Sequence, residues 1–553
     1  MTAFSLNRIA ENIILLEGWR AALLAIVAGA ISALGLAPYH VFPVLFFTLP
    51  VLVWLLDGAI PPAGRSGFFG VFSRYWPAFR TGWLFGFGYL LAGMWWVGKA
   101  FLVDADEFAW LLPFAVLALP AGLGLFYGFG AALARIAWGD GWVRLAALAA
   151  ALTLAEWLRG TLLTGLPWNT LGMIFMPTPL LMQTAGLVGL YGVTFLTVFV
   201  ASSPGIFAPG MDFDSAIGAR KPRRMRRVLV AALVMMVVHV GYGFAVLSNA
   251  SDQTQPGIKL RIVQPGLLQN EKWEPENEPE IMQRYFDLSN ADRGPRAASV
   301  ASFTHIIWPE SAFPFILTQR RDVLASIAAM LPPTSTLITG AMRLEQTADA
   351  HNGRRVFNSL YAIGGDGEIA AAYDKTRLLP FGEFLPFQDF LESIGLQQLT
   401  QLRGGFAQGS RRGTISLGAT PAFLPLICYE VIYPGKVQGV GDAPQWIVNV
   451  TNDAWFGDTA GPYQHAHQTR IRAVEEGLPI TRAANSGISM IIDGYGRVVS
   501  SLGLGERGVV DGPLPQFVGP TVFTRIGNMI VIFAVCVLLL LLTVVHRKNT
   551  YWL

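Results

Sequence analysis

The sequence predicts a bundle of about eight membrane-spanning helices joined to one layered α/β domain. Three observations lead there. Of 553 residues, 53% are hydrophobic and only 14% charged, against about 25% charged in ordinary soluble domains. The apolar residues are clustered, nearly continuous through the first 248 residues and again in one run near 521–545. Between them, short β-rich runs alternate with helical stretches, the pattern of a layered α/β domain. The expected division is therefore 1–248 (membrane part, about seven spans), 249–520 (α/β domain) and 521–553 (last span and tail).

A span needs about 20 apolar residues to cross about 30 Å of hydrocarbon. Runs of that kind lie near 21–38, 40–57, 82–99, 109–134, 144–159, 178–201, 228–248 and 521–545. The first two are short and joined by Pro38-Tyr39-His40, which fits either two spans or a re-entrant pair. Ahead of them Phe4, Leu6, Ile9, Ile13 and Leu16 recur at helical spacing, as in a helix lying in the membrane interface. No cleavable signal peptide is evident.

Basic residues set the orientation. Arg65, Arg74 and Arg80 follow the second run, Arg135 and Arg144 flank the fourth and fifth, Lys221–Arg227 precede the seventh, and His546-Arg547-Lys548 follow the eighth. If the spans alternate, all four groups share one side, the cytoplasmic one by the positive-inside rule. The loop 100–108, with Asp104, Asp106 and Glu107, falls on the other side. Both termini are then expected in the cytoplasm and 249–520 outside it. A net charge of +3 gives no argument for nucleic acid, and two cysteines exclude a disulfide scaffold.

In the α/β part, strands are expected at 259–263, 305–308, 337–339 and 446–450, helices at 322–331 and 464–477, and surface loops at 289–302 and 345–355. Gly503-Leu504-Gly505-Glu506-Arg507-Gly508 fits a G-x-G-x-x-G pattern, but no strand–helix context follows, so a turn is expected.

Three expected strand ends carry ionisable groups. An apolar run ends at Glu310; Asp374-Lys375 closes a second and is followed by Leu379-Pro380-Phe381-Gly382-Glu383; Cys428-Tyr429-Glu430 closes a third. Singly, each has a plain structural explanation: a solvated carboxylate, a salt-bridged lysine, a buried thiol. Together they supply the parts for acyl transfer. A carboxylate takes the thiol proton, the thiolate attacks a carbonyl, and an ammonium with a backbone N–H stabilises the oxyanion.

This Glu310, Lys375, Cys428 set resembles the nitrilase, or carbon–nitrogen hydrolase, superfamily, whose fold is an αββα sandwich. With seven spans before that domain and one after, the chain resembles more narrowly the membrane-embedded apolipoprotein N-acyltransferase family. The supporting motifs are Trp308-Pro309-Glu310-Ser311-Ala312, Leu379–Glu383, Ile427–Glu430, Asn452–Gly457, Gly461–His465, Glu156–Gly160 and Gly165–Trp168. The resemblance implies Glu310 as general base, Lys375 as oxyanion stabiliser and Cys428 as nucleophile. It also implies supporting roles for Glu383, Tyr429 and Glu430, and substrate contacts for Trp273, Trp455 and Phe381.

The resemblance further implies no metal and no cofactor. It implies an acyl donor such as phosphatidylethanolamine, a Cys thioester, and a diacylglyceryl apolipoprotein whose N-terminal cysteine amine accepts the chain. The implied location is a bacterial inner membrane, with the α/β domain on the periplasmic side. The alternative is a membrane-tethered amidohydrolase acting on a small amide. Phe313, Phe315, Phe381, Phe384 and Phe387 around the expected pocket favour an acyl chain instead. His465 and His467 lack a third ligand at a metal-site spacing and are expected to line the pocket or a helix face. Glu156 and Arg159 fit either a headgroup site or a mutual pair.

Overall fold

The computed structural model describes residues 3–551 except 62–66, 208–220, 270, 292–299, 348–352, 394, 401, 403, 419 and 436–440. It divides into two compact units: 1–95, 113–249 and 521–553 in one, 96–112 and 250–520 in the other.

In the first unit each of the eight apolar runs contains a helix: Gly18–Ser32, Leu45–Asp57, Gly67–Met94, Leu112–Ile136, Trp142–Thr161, Ala185–Ser202, Lys221–Ser248 and Val522–Tyr551. Among the described residues, five helical segments are long and apolar enough to cross a membrane by length and composition. Leu45–Asp57 is not one of them. Its 13 residues extend only ~20 Å at the α-helical rise. Ser32 Oγ donates to Thr48 Oγ1 at 2.7 Å and joins that helix to the one before it.

Without an aqueous driving force, helices in this unit meet through small residues. A Cβ on Gly29 would lie 2.0 Å from the Phe85 carbonyl oxygen, and one on Gly88 2.0 Å from that of Ile26. Helix Ala3–Ile14 lays Ala10, Ile13 and Ile14 against Trp54 and Val51. Glu156 and Arg159 pair with each other. Arg159 also donates to the carbonyls of Leu166 at 2.7 Å and Trp168 at 2.8 Å, so the pair fastens the turn after its own helix.

The second unit is built on two sheets. The strands are β1 (Thr254–Gln264), β2 (His305–Ile307), β3 (Thr336–Gln346), β4 (Arg354–Gly364), β5 (Ile369–Asp374), β6 (Phe423–Ile427), β7 (Trp446–Thr451), β8 (Ile480–Ala484), β9 (Ser489–Ile492), β10 (Val498–Leu502) and β11 (Gly508–Pro515). One sheet runs β11-β1-β2-β3-β4-β5 and the other β10-β9-β8-β7-β6. Both contain parallel cores, β1-β2-β3 and β6-β7-β8.

Side-chain alternation along each strand makes the layers. Leu260, Ile262, Ile307, Ile338 and Leu360 face Phe423, Ile427, Trp446, Val448 and Val450 between the sheets. Their neighbours Val263, Ile306 and Leu337 face outward onto Ile281, Tyr285, Val323 and Ile327, from helices Glu278–Ser289 and Arg321–Met330. Helix Ala460–Glu476 lies along β8 and the Cys428 turn of the other sheet. The result is the αββα sandwich.

Two expectations change. Glu345 and Gln346 pair with Arg355 and Arg354 in the β3–β4 hairpin, so the loop expected at 345–355 is strand at both ends; 348–352 lie outside the described residues, as do 292–299 of the other expected loop. Residues 96–112, expected only as the span ends and acidic loop between two spans, group with the α/β unit. There Trp96 Nε1 donates to Gln464 Oε1 at 3.2 Å and its ring meets Phe456 edge-on at 4.7 Å. The Gly503–Gly508 segment is the turn between β10 and β11.

Candidate active site

The parallel strands point their carboxyl ends at one place, the usual position for a site in an α/β sheet. Glu310 follows β2, Lys375 follows β5, and Cys428 follows β6. Two of these ends are strained. Ser311 has φ 49° and Cys428 has φ 53°, a left-handed conformation that costs a non-glycine residue energy and marks functional sites. The β3 backbone presses against the Glu310 turn: a Cβ on Gly340 would sit 2.5 Å from Glu310 Cα.

Lys375 is the centre of the cluster. Its Nζ lies 2.9 Å from Glu383 Oε1 and 3.4 Å from Glu310 Oε1. Asn358 Nδ2 bridges the same two oxygens, donating at 2.8 Å to Glu310 and 2.9 Å to Glu383. The second carboxylate oxygens are held by backbone: Asn452 N–H donates to Glu310 at 2.9 Å, and Leu379 N–H to Glu383 at 2.8 Å. Each carboxylate is thus fixed by donors on both oxygens.

The electrostatics follow from burial and these neighbours. Burial alone would lower the Lys375 ammonium, but Glu383 and Glu310 outweigh it and hold the proton above the usual lysine range. Lys375 is therefore a fixed cation. The Cys428 thiol is pushed up by burial and by the Glu310 charge, with Lys375 opposing. A thiol in that field rests protonated and needs a base to become a nucleophile. The Glu310 charge that raises it belongs to the same cluster that holds Lys375.

The remaining expected residues divide. Tyr429 donates to the Leu378 carbonyl at 2.6 Å, and Lys375 Nζ lies 5.3 Å from its ring centroid. Glu430 is a fastener beside the thiol turn. It accepts from Ile427 N at 2.9 Å and, at the end of β5 and in the segment after it, from Thr376 N at 2.9 Å, Thr376 Oγ1 at 2.8 Å, Arg377 N at 3.1 Å and Tyr373 Oη at 3.0 Å. It thereby ties the Cys428 turn to the segment carrying Lys375. Trp273 and Phe381 are exposed, at 43% and 55%, and Trp455 is half-buried in the turn Asp453–Phe456; among the described residues, none of the three hydrogen-bonds to Lys375, Glu310 or Glu383.

Sequence reasoning missed Asn358 and Lys272. Asn358-Ser359 is a polar pair inside the apolar strand β4, a signal that was there to read. Lys272 is buried, its Nζ 3.4 Å from the Glu310 carbonyl oxygen and 5.5 Å from the Trp273 ring centroid. Burial lowers its pKa to about 8 against the opposing pull of Glu310.

The geometry can be set beside known proteins. Residues 28–203 match the apolipoprotein N-acyltransferase N-terminal domain, and residues 272–521 match the carbon–nitrogen hydrolase family. The apolipoprotein N-acyltransferase of Bradyrhizobium diazoefficiens is 48% identical over 549 residues, covering 99% of both chains. The chain belongs to the apolipoprotein N-acyltransferase family. Another such relative, from Rhodopseudomonas palustris, is 44% identical over 98% of both chains. Among solved structures, an amidase from Nesterenkonia sp. AN1 aligns at TM-score 0.32 and 16% identity, covering 48% of this chain and 93% of its own. The family match spans both units, so the helical part and the sandwich are one enzyme's two halves.

Proposed function

We propose that this chain transfers an acyl group from a phospholipid, with phosphatidylethanolamine the expected donor, to the α-amine of the N-terminal diacylglyceryl-cysteine of an apolipoprotein. The observation that carries the mechanism is the buried Glu310–Lys375–Glu383 cluster beside the strained Cys428 turn, in a chain of this family. Glu310 accepts the thiol proton and Cys428 attacks the ester carbonyl. Lys375 stabilises the tetrahedral oxyanion, and the alkoxide of the lysophospholipid leaves with the proton. The acceptor amine then displaces Cys428 from the thioester.

The positions of the basic residues support cytoplasmic termini and a periplasmic sandwich, where both lipid-anchored substrates reach it. Incubating the full-length protein with acyl-labelled phosphatidylethanolamine should leave the label on Cys428, found by mass spectrometry. Cys428→Ala should leave none. Labelled acyl transfer at the parent rate by Cys428→Ala would overturn the assignment.

A further inference from the structure

Behind the Cys428 turn lies a second set of buried polar groups that this chemistry does not yet use. In the parallel register Ile427 pairs with Val450, so Thr451 is the strand neighbour of Cys428. The Thr451 hydroxyl is among the groups that hold the Cys428 thiol down against burial, and it donates to Asp453 Oδ1 at 3.1 Å. Asp453 has two other partners: Arg482 Nη2 at 2.6 Å from Oδ2, and His465 Nδ1 at 2.9 Å from Oδ1. Against burial, which would raise it, Arg482 and His465 hold the Asp453 carboxyl down at about 2. Asn449 Nδ2 donates to the Cys428 carbonyl at 3.1 Å while Arg482 Nη1 donates to Asn449 Oδ1 at 2.6 Å. Thr451, Asp453, His465, Arg482 and Asn449 are all no more than 1% exposed.

A hydroxyl has one proton, and Thr451 faces two acceptors once the sulfur ionises. While Cys428 is a thiol, the hydroxyl proton belongs on Asp453. Turning it to the sulfur takes one donor from Asp453 and leaves the two that carry most of its charge compensation, so no buried carboxylate is orphaned. We propose that Thr451 is a further catalytic residue, a rotor whose hydroxyl swings from Asp453 to Cys428 Sγ and donates to the sulfur whenever it carries charge. The inference rests on Cys428 being the nucleophile.

The thiolate arises twice in the cycle. First, the S–H bond breaks and Glu310 takes the proton; the S–C bond forms, the ester C–O bond breaks, and the departing alkoxide takes the proton from Glu310. Second, the acceptor amine forms an N–C bond, the C–S bond breaks, and sulfur leaves as thiolate with the electron pair. The amine proton goes to Glu310 and returns to sulfur. The Thr451 proton is donated in a hydrogen bond at both points and is never transferred, so the cycle balances without it.

The test uses the full-length protein with Cys536→Ser, so that Cys428 is the sole thiol. Thr451→Val removes the hydroxyl and keeps the shape; Thr451→Ser restores the donor without the methyl. A hydrogen bond to a charged group corresponds to about tenfold to a hundredfold in rate. Thr451→Val should slow both thioester formation from phosphatidylethanolamine and its discharge by a diacylglyceryl peptide by that factor. It should also move the pH profile of iodoacetamide alkylation at Cys428 to higher pH. Thr451→Ser should recover the parent rates and profile to within about threefold of the parent protein.

Parent-like rates in Thr451→Val, or a Thr451→Ser protein as slow as Thr451→Val, would overturn the rotor. If Thr451→Val does not fold, Thr451→Ala against Thr451→Ser makes the same comparison with smaller side chains. No thioester in the parent protein would overturn the nucleophile assignment instead, which keeps the two failures apart.

Discussion

Replacing Glu430 with glutamine separates fastening from chemistry. Five donors hydrogen-bond this carboxylate, the N–H groups of Ile427, Thr376 and Arg377 and the hydroxyls of Thr376 and Tyr373, and the Arg412 guanidinium stands 3.9 Å from one of its oxygens. Ile427 N–H bonds one oxygen, and the Thr376 and Arg377 donors bond the other. Glutamine keeps the shape but must turn an NH2 group toward one of these sets. The cheaper choice faces Ile427 and orphans its buried N–H, while the Tyr373 hydroxyl keeps the other oxygen as its acceptor. A lost hydrogen bond to a charged group costs about 1.5–3 kcal/mol, and the surviving bonds weaken to neutral strength. The total is about 2–4 kcal/mol. For a domain of this size that lowers the thermal midpoint by about 5–10 °C. Differential scanning fluorimetry on the full-length protein in detergent reads the shift. Thioester formation, assayed well below the transition, should fall because the Cys428 turn and the Lys375 segment lose their common clamp. As a control, Glu280→Gln, at a side chain 72% exposed, should leave the midpoint in place. A parent-like midpoint and a parent-like thioester rate in Glu430→Gln would refute the fastening role.

Two further outcomes are expected. Lys375→Met removes the only cation paired with the Glu310 and Glu383 carboxylates among the described residues; the thioester burst should drop by about a hundredfold to a thousandfold, and a burst within tenfold of the parent would remove Lys375 from oxyanion stabilisation. Lys272 is held at about 8 when folded and titrates near 10.4 when unfolded. Between those values the unfolded chain binds more protons, so stability should rise with pH across the window. Lys272→Met should flatten that rise in a series of thermal midpoints from pH 7.5 to 10.5, and parallel slopes in the two proteins would contradict the buried-amine reading.

Much of this protein was legible one element at a time. The helix expected at 464–477 is Ala460–Glu476, ended by Gly477 in the left-handed conformation a C-cap requires. The strand expected at 446–450 is β7 with one further residue. Hydrophobic period decides such elements locally, and the strand ends that carry Glu310, Lys375 and Cys428 could be picked out by their ionisable groups. Glu430 is legible in the sequence only as a neighbour of Cys428; that its side chain bonds Thr376, Arg377 and Tyr373 depends on how the two sheets pack.

The sequence by itself determined which segments are helix, strand or apolar run, and which side chains could carry acyl transfer. Only the tertiary structure decided who touches whom. Glu310 receives a backbone N–H from Asn452, 142 residues away, and Asn358 joins it to Glu383 from a strand whose pattern looked like core. Thr451 stands beside Cys428 because β6 and β7 pair in one parallel register rather than another. The physical reason is a difference in range. Backbone geometry and side-chain period act over a few residues and leave a trace in the sequence. A site assembled from strand ends depends on sheet order and register, which are settled by packing the whole core at once.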